Sequence, residues 1–380
     1  MGRISPAWSR GPSRGSAVPE PSNDQIARLR LIRSENIGPV TYFQLLARFG
    51  SAAAALEAIP DLAARGGGRA PRLASRSAIE REMDQVDRIG ARYLFLGQGL
   101  YPPLLAELET APPALIVKGH PSLLDRPTVA MVGARNASAA ACRFARSLAQ
   151  ALGNAGTVVV SGLARGIDTA AHDGALETGT IAVVAGGVDI FYPPENESRQ
   201  RAIAERGLVV SEQPPGVEPR SRHFPSRNRI IAGLAYGTVV VEAAPRSGSL
   251  ITARCAAECG REVMAVPGSP LDPRAQGCNQ LIREGATLVQ SADDVLEAVG
   301  PAGTPPFRQP ERNYATPEVV VEADDEARKA VTGLLNGTPV PVNELIRQSE
   351  LPPAVVQTVL LELELAGRLE RHAGGRVSLM

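Results

Sequence analysis

The sequence has almost no lysine. Lys118 and Lys329 are the only two, although lysines and arginines together number 40 in 380 residues. Alanine, glycine and proline are abundant alongside, which fits a coding bias, so arginine content alone carries no functional argument. Acidic residues also number 40, so net charge is zero and a nucleic-acid site has to be a local patch. Aromatic residues make up 4%, too few for an extended base-stacking surface. The four cysteines, Cys142, Cys255, Cys259 and Cys278, form no CxxC pair, and no histidine follows Cys259 at ligand spacing. They read as buried free thiols of a reducing compartment. No stretch of 18 apolar residues occurs, and the first residues lack an apolar signal core. The expectation is a soluble cytoplasmic protein with no membrane partner. Neither GxGxxG nor GxxxxGK[ST] is present, which removes the dinucleotide and P-loop fingerprints.

One local absence points somewhere. From Pro219 to Val241 there is no acidic residue, while Arg220, Arg222, His223, Arg227 and Arg229 crowd the entry of a helical segment. An apolar strand follows, and then Ser247-Gly248-Ser249 opens another helix. Arginines beside a Ser/Gly turn at helix entries make a site for anionic oxygens.

Around this stretch the chain divides by composition. Residues 1–22, rich in Pro, Ser, Gly and Arg, read as a disordered tail. Residues 23–70 carry helix-spaced apolar positions around Asn36-Ile37-Gly38-Pro39-Val40. They resemble a SAM or helix–hairpin–helix unit, an accessory domain with weak DNA-binding potential. Residues 71–300 alternate apolar strands, at 128, 158, 181, 208, 238 and 262, with helices, the pattern of a parallel α/β sheet. Ligands of such sheets bind at the carboxyl ends of the strands. Two turns stand there: Gly133-Ala134-Arg135, with Ser138 placed to cap a helix, and Ser161-Gly162 through Arg165 to Asp168. Asp168 and His172 lie four apart on one helix. With no nucleophile or metal set beside them, they read as loop-orienting and not as an acid–base pair. A third turn, Gly186 to Pro193, borders the same crevice with Phe191 and Tyr192 as core or rim.

The core resembles the DNA-processing protein A family (DprA, also called Smf). The resemblance spans about Leu94 to Val299. It rests on VGAR, SGLARGIDTAAH, GGVDIFYPPEN, SEQPPG, FPSRNRIIAGL, VVVEAAPRSGSLITARCAAECGREVMAVPG and GCNQLIREGA, in that order. Ala134 departs from the family's usual Ser or Thr between Gly and Arg. The resemblance implies an extended Rossmann-like fold that binds single-stranded DNA and forms homodimers through this domain. It further implies help in loading RecA onto incoming DNA during natural transformation, with no chemistry on the DNA and no cofactor. Carried onto this chain, the DNA pocket falls on Gly133, Arg135, Ser161, Gly162, Arg220 to Phe224, Arg227, Asn228, Arg229 and Ser247 to Ser249. Arg165 joins this set from its turn, and Phe224 is the residue for base stacking.

After a linker at 301–326, residues 327–380 read as a winged helix with Gly374-Gly375 at the wing tip. Its third helix has no Arg or Lys and carries Glu362 and Glu364, so packing or protein contact fits it better than base reading. Two competing functions remain. One is a Rossmann-like nucleotide or sugar-phosphate hydrolase, which such enzymes announce by a PGGxGTxxE-type turn absent from 244–249, leaving Glu242 structural. The other is a winged-helix transcription factor, disfavoured by the acidic third helix.

Overall fold

The structure, a computed structural model, describes residues 22–300, 322–372 and 374–380. All but the last residue of the expected tail, and residues 301–321 of the expected linker, lie outside the described residues.

Polar caps set the first helices. Ser22 and Gln25 form a capping box on α1 (Asn23–Ile32). Pro39 opens α2 (Pro39–Phe49), which Gly50 closes in the left-handed conformation at φ 72°. Ser51 caps α3 (Ala52–Arg65) and Ser75 caps α4 (Arg76–Arg88). Leu31, Tyr42, Leu45 and Ile59 fill the centre of this helical unit. Ile79 of α4 packs with Ile26 and Leu29 of α1 and with Phe95. The helical packing therefore continues past residue 70.

The central sheet has nine strands in the order β1-β2-β6-β5-β4-β3-β7-β8-β9. In chain order β1 (Arg92–Phe95), α5 (Pro103–Ala106) and β2 (Ala114–Gly119) come first. Then follow β3 (Thr128–Gly133), α6 (Ala139–Asn154), β4 (Val158–Ser161), α7 (Ile167–Ala175), β5 (Thr180–Val183), α8 (Glu197–Arg206) and β6 (Leu208–Ser211). The second half holds α9 (His223–Gly233), β7 (Gly237–Val241), α10 (Gly248–Glu258), β8 (Glu262–Ala265), α11 (Gln276–Arg283), β9 (Thr287–Leu288) and α12 (Ala292–Val299). The strands from β3 to β9 pair in parallel, while β1 and β2 add an antiparallel ribbon on β6. That ribbon covers an edge the parallel sheet would otherwise leave open. Alternate side chains of one strand enter opposite cores: Val158 and Val160 join one cluster and Val159 the other. Helices on both faces explain why these strands are apolar throughout.

The C-terminal domain runs α13 (Asp325–Gly333), β10 (Val340–Pro341), α14 (Val342–Ser349), α15 (Pro353–Leu365), β11 (Leu369–His372) and β12 (Arg376–Leu379). Its sheet order is β10-β12-β11, a winged helix. The third helix, α15, is buried almost all round because it serves two cores. Leu360 and Leu363 face its own domain, while Leu361 and Leu365 join the α1–α3 cluster. The contact is close: a Cβ on Gly66 would stand 2.1 Å from the Glu362 carbonyl oxygen. Arg368 donates to the Gly66 carbonyl at 3.0 Å, and Gln44 of α2 donates to Gln357 at 3.0 Å. Glu362, 1% exposed, is held by Arg328.

Candidate nucleic-acid interface

The strand order reverses between β3 and β7, where an open α/β sheet usually takes its ligand. Here Glu242 occupies that point. Its carboxylate accepts from the Ser138 backbone N–H at 2.8 Å and the Ser138 hydroxyl at 2.6 Å, while Ser138 caps α6. Glu242 is thereby spent on a helix start. It sits at φ 50°, a left-handed position uncommon for a side-chain-bearing residue.

The open cavity lies beside this point, over the carboxyl ends of β3, β4 and β5, and measures about 380 Å³. Arg135 and Asn136 enter from the loop after β3, and Gly162 and Arg165 from the loop after β4. Tyr192 comes from the loop after β5, and Phe224 and Arg227 from α9. Among the described residues, no acidic side chain lines it. The Phe224 ring carries the Arg135 guanidinium 5.5 Å from its centroid and meets the Tyr192 ring at 5.6 Å. Two aromatic faces and three arginines share one small concavity, so it can take a flat ring and an anionic group together.

The loop after β4 is fixed from several sides. The Asp168 carboxylate accepts from the Gly162 and Ala164 N–H groups, each at 3.2 Å. Asn196 donates to the Leu163 carbonyl at 2.9 Å, holding Leu163 at φ 56°. A Cβ on Gly162 would lie 1.5 Å from Arg227 Nη1 and 2.8 Å from Asp168 Oδ2, so the guanidinium crosses directly over this glycine. Burial raises the Asp168 pKa against the opposing pull of Arg227, and burial pushes Arg227 down to about 10. Arg227 donates to the Val183 carbonyl at 3.1 Å. Its Nε is buried with no partner among the described residues. Arg227 therefore brings a largely buried positive charge to the cavity wall.

His172 is buried and bonds to Thr180 at the start of β5. The Thr180 hydroxyl donates to the Val159 carbonyl at 2.9 Å, so it accepts from the His172 Nδ1–H at 2.7 Å. Burial pushes the imidazole down to about 3, which keeps it neutral.

The sequence-predicted residues separate into three groups. Arg135, Gly162, Arg165, Phe224 and Arg227 line the cavity, with Arg165 paired to Glu195 at 2.6 Å. Arg220 and Arg222 stand exposed at the entry of α9. The remainder are turned elsewhere. Ser161 is fully buried and donates its hydroxyl to the Met131 carbonyl at 2.6 Å. Gly133 is a packing position, since a Cβ there would stand 1.9 Å from the Val241 carbonyl. Ser247, Gly248 and Ser249 cap and begin α10 outside the cavity, with Asn228 donating to the Gly248 carbonyl at 3.4 Å. Arg229 requires a correction: its guanidinium donates to Glu212 at 2.6 and 2.7 Å and to the Thr110 carbonyl, so it is not free for phosphate. Tyr192, from the 186–193 turn expected to border the crevice as core or rim, stands on the cavity wall, and Asn136 joins it from the turn after β3.

Comparison with known proteins identifies the family. The profile of DNA recombination-mediator protein A matches residues 92–300, a DprA-like N-terminal HHH domain matches 22–84, and a DprA winged helix domain matches 315–375. The chain is 52% identical to the DNA processing protein DprA of Streptococcus pneumoniae, over 52% of this chain and 70% of that one. It is 36% identical to protein Smf of Escherichia coli, over 80% and 82% of the two chains. The solved S. pneumoniae DprA structure aligns with a TM-score of 0.60 and 40% identity, covering 73% of this chain and 97% of that one. A Helicobacter pylori DNA processing protein A, solved for its single-stranded DNA binding mode, aligns at 0.50 with 29% identity over 54% and 93%. With more than half of its length matched by the family profile and four fifths by a relative of the same family, the chain belongs to the DNA recombination-mediator protein A (DprA/Smf) family.

Proposed function

We propose that this protein binds single-stranded DNA in the cavity above β3–β5 and, as a homodimer, helps load RecA onto that DNA during DNA uptake in the cytoplasm. The observation that carries the reading is the joining of Arg135, Arg165 and Arg227 with the Phe224 and Tyr192 rings in an acid-free concavity. Arginines take the phosphates, and an aromatic face takes a base without reading its identity. Ile251, Leu271 and Leu288 are exposed apolar side chains on the β7–β9 end of the sheet, which favours pairing of two copies through this domain. No chemistry on the DNA is part of this reading.

The test is titration of labelled oligo-dT across a range of salt. Each neutralised phosphate contributes about −0.7 to the log–log slope. Arg135→Ala is expected to weaken binding and flatten the slope while leaving the melting temperature nearly unchanged. Unaltered affinity in that variant would refute the assignment of the cavity. For the loading step, RecA assembly on oligo-dT is expected to accelerate when the protein is added first, and no change in assembly rate would refute it.

A further inference from the structure

We infer that Glu212 is a positioning residue for the cavity, fixing α9 through Arg229 and tying that helix to the N-terminal helical unit through Arg33. This rests on the reading that the cavity binds single-stranded DNA. Glu212 directly follows β6 and is not among the residues that line the cavity. Both of its carboxylate oxygens accept from Arg229 Nη2, at 2.6 and 2.7 Å, and each side chain of the pair is 15% exposed. On α9, Arg229 points away from Arg227 and Phe224, so the pair grips the back of the helix whose front carries the two cavity residues. The neighbouring Ser211 donates to the carbonyl of Gly186, a cavity-lining residue, at 2.6 Å. From the other side, Arg33 Nη1 donates to the Glu212 carbonyl at 3.2 Å. Arg33 is itself held by Glu82 at 3.0 Å, and Glu82 accepts from the Tyr93 hydroxyl at 2.6 Å. One residue thus joins the domain that begins the chain to the helix that presents Phe224 and Arg227. The N-terminal unit acts on DNA affinity through this chain of contacts without touching DNA.

The sign of the effect separates positioning from simple electrostatics. Glu212→Gln removes a negative charge near a DNA site and frees Arg229. Field effects alone would then tighten oligo-dT binding and steepen its salt slope. Positioning requires the opposite: affinity falling about tenfold with the slope unchanged. Arg33→Gln, in a different domain, is expected to weaken binding in the same direction. Arg229→Lys, which keeps a charge for Glu212, is expected to retain more affinity than Arg229→Gln. Melting temperatures of all variants identify any that fail to fold, and Arg33→Gln keeps the question open to decision if Glu212→Gln is one of them. Tighter or unchanged binding in Glu212→Gln and Arg33→Gln would overturn the inference alone. So would a slope reduced by about 0.7 in Arg229→Gln, since that marks a direct phosphate contact. Wild-type protein that fails to bind oligo-dT would overturn the functional reading and this inference with it.

Discussion

Gly162 leaves no space for a side chain, because Arg227 lies across it and Asp168 holds its N–H. Gly162→Ala is expected to push the guanidinium aside, weakening oligo-dT binding about tenfold and costing about 1–3 kcal/mol of stability. Equal affinity by titration would show that Arg227 contributes nothing to the site. His172 makes a prediction about acid. It is neutral in the fold, with its pKa pushed from 6.5 to about 3, whereas the unfolded chain takes up a proton near 6.5. Stability is therefore undiminished above pH 6.5 and declines as pH falls toward 3, by about 2 kcal/mol at pH 5. Denaturant unfolding of the wild type and His172→Phe at pH 7 and pH 5 measures this, and an equal loss in both would refute it. Part of the candidate site was legible at this scale: Arg135, Gly162, Arg165, Phe224 and Arg227, read from the strand-end turns and the acid-free helix entry, line the cavity, while Gly133 and Arg229 serve packing and an ion pair. What sequence reading lost was direction. Arg227 and Arg229 are two apart, and residues two apart on a helix do not share a face. Counting arginines placed both at the site, whereas helical spacing alone separates them. Glu212 stands in the SEQPPG stretch, but its pairing was silent in sequence because its partners, Arg229 and Arg33, lie 17 and 179 positions away.

At the scale of elements, the seven strands from β3 to β9 differ in legibility. Apolar runs three to five residues long announced β3 to β8, but β9 has two residues and no pattern to read. The third helix of the winged domain is instructive. Its lack of lysine and arginine argued against base reading, and the structure packs its Leu361 and Leu365 against α1–α3. Glu362, part of that acidic signature, is buried against Arg328, 34 positions earlier, so its burial could not be read locally. Removing Arg328 leaves that carboxylate buried and unpaired. Arg328→Ala is expected to destabilise the winged domain by about 3 kcal/mol, with Glu362→Leu in the same chain recovering much of the loss. Chemical denaturation of the single and double variants checks this, and a double variant no better than the single would refute the pairing argument. Deleting residues 322–380 is expected to leave most oligo-dT affinity intact while lowering the melting temperature, since the α3 face loses its cover. A loss greater than about tenfold, or ~1.4 kcal/mol, in a folded truncation would place DNA contacts on the winged domain.

For the whole molecule, one small cavity per chain covers few nucleotides, so two linked cavities should hold a longer strand better than either alone. Light scattering is expected to give a dimer without DNA, and affinity to rise with oligo-dT length. Leu271, 92% exposed, is the residue to charge: Leu271→Asp should weaken self-association by about tenfold or more. A wild type that stays monomeric, with affinity independent of length, would defeat the proposal. The clasp between the first and last domains has a consequence in time. Gly66 and Arg368, joined by a hydrogen bond, are 302 positions apart. At about 5–20 residues per second, the ribosome finishes the α3 face about 15–60 s before it delivers α15. Throughout that interval the nascent chain shows an apolar surface whose own partner does not yet exist. A chaperone, or another nascent chain on the same messenger, is then the first neighbour able to reach it.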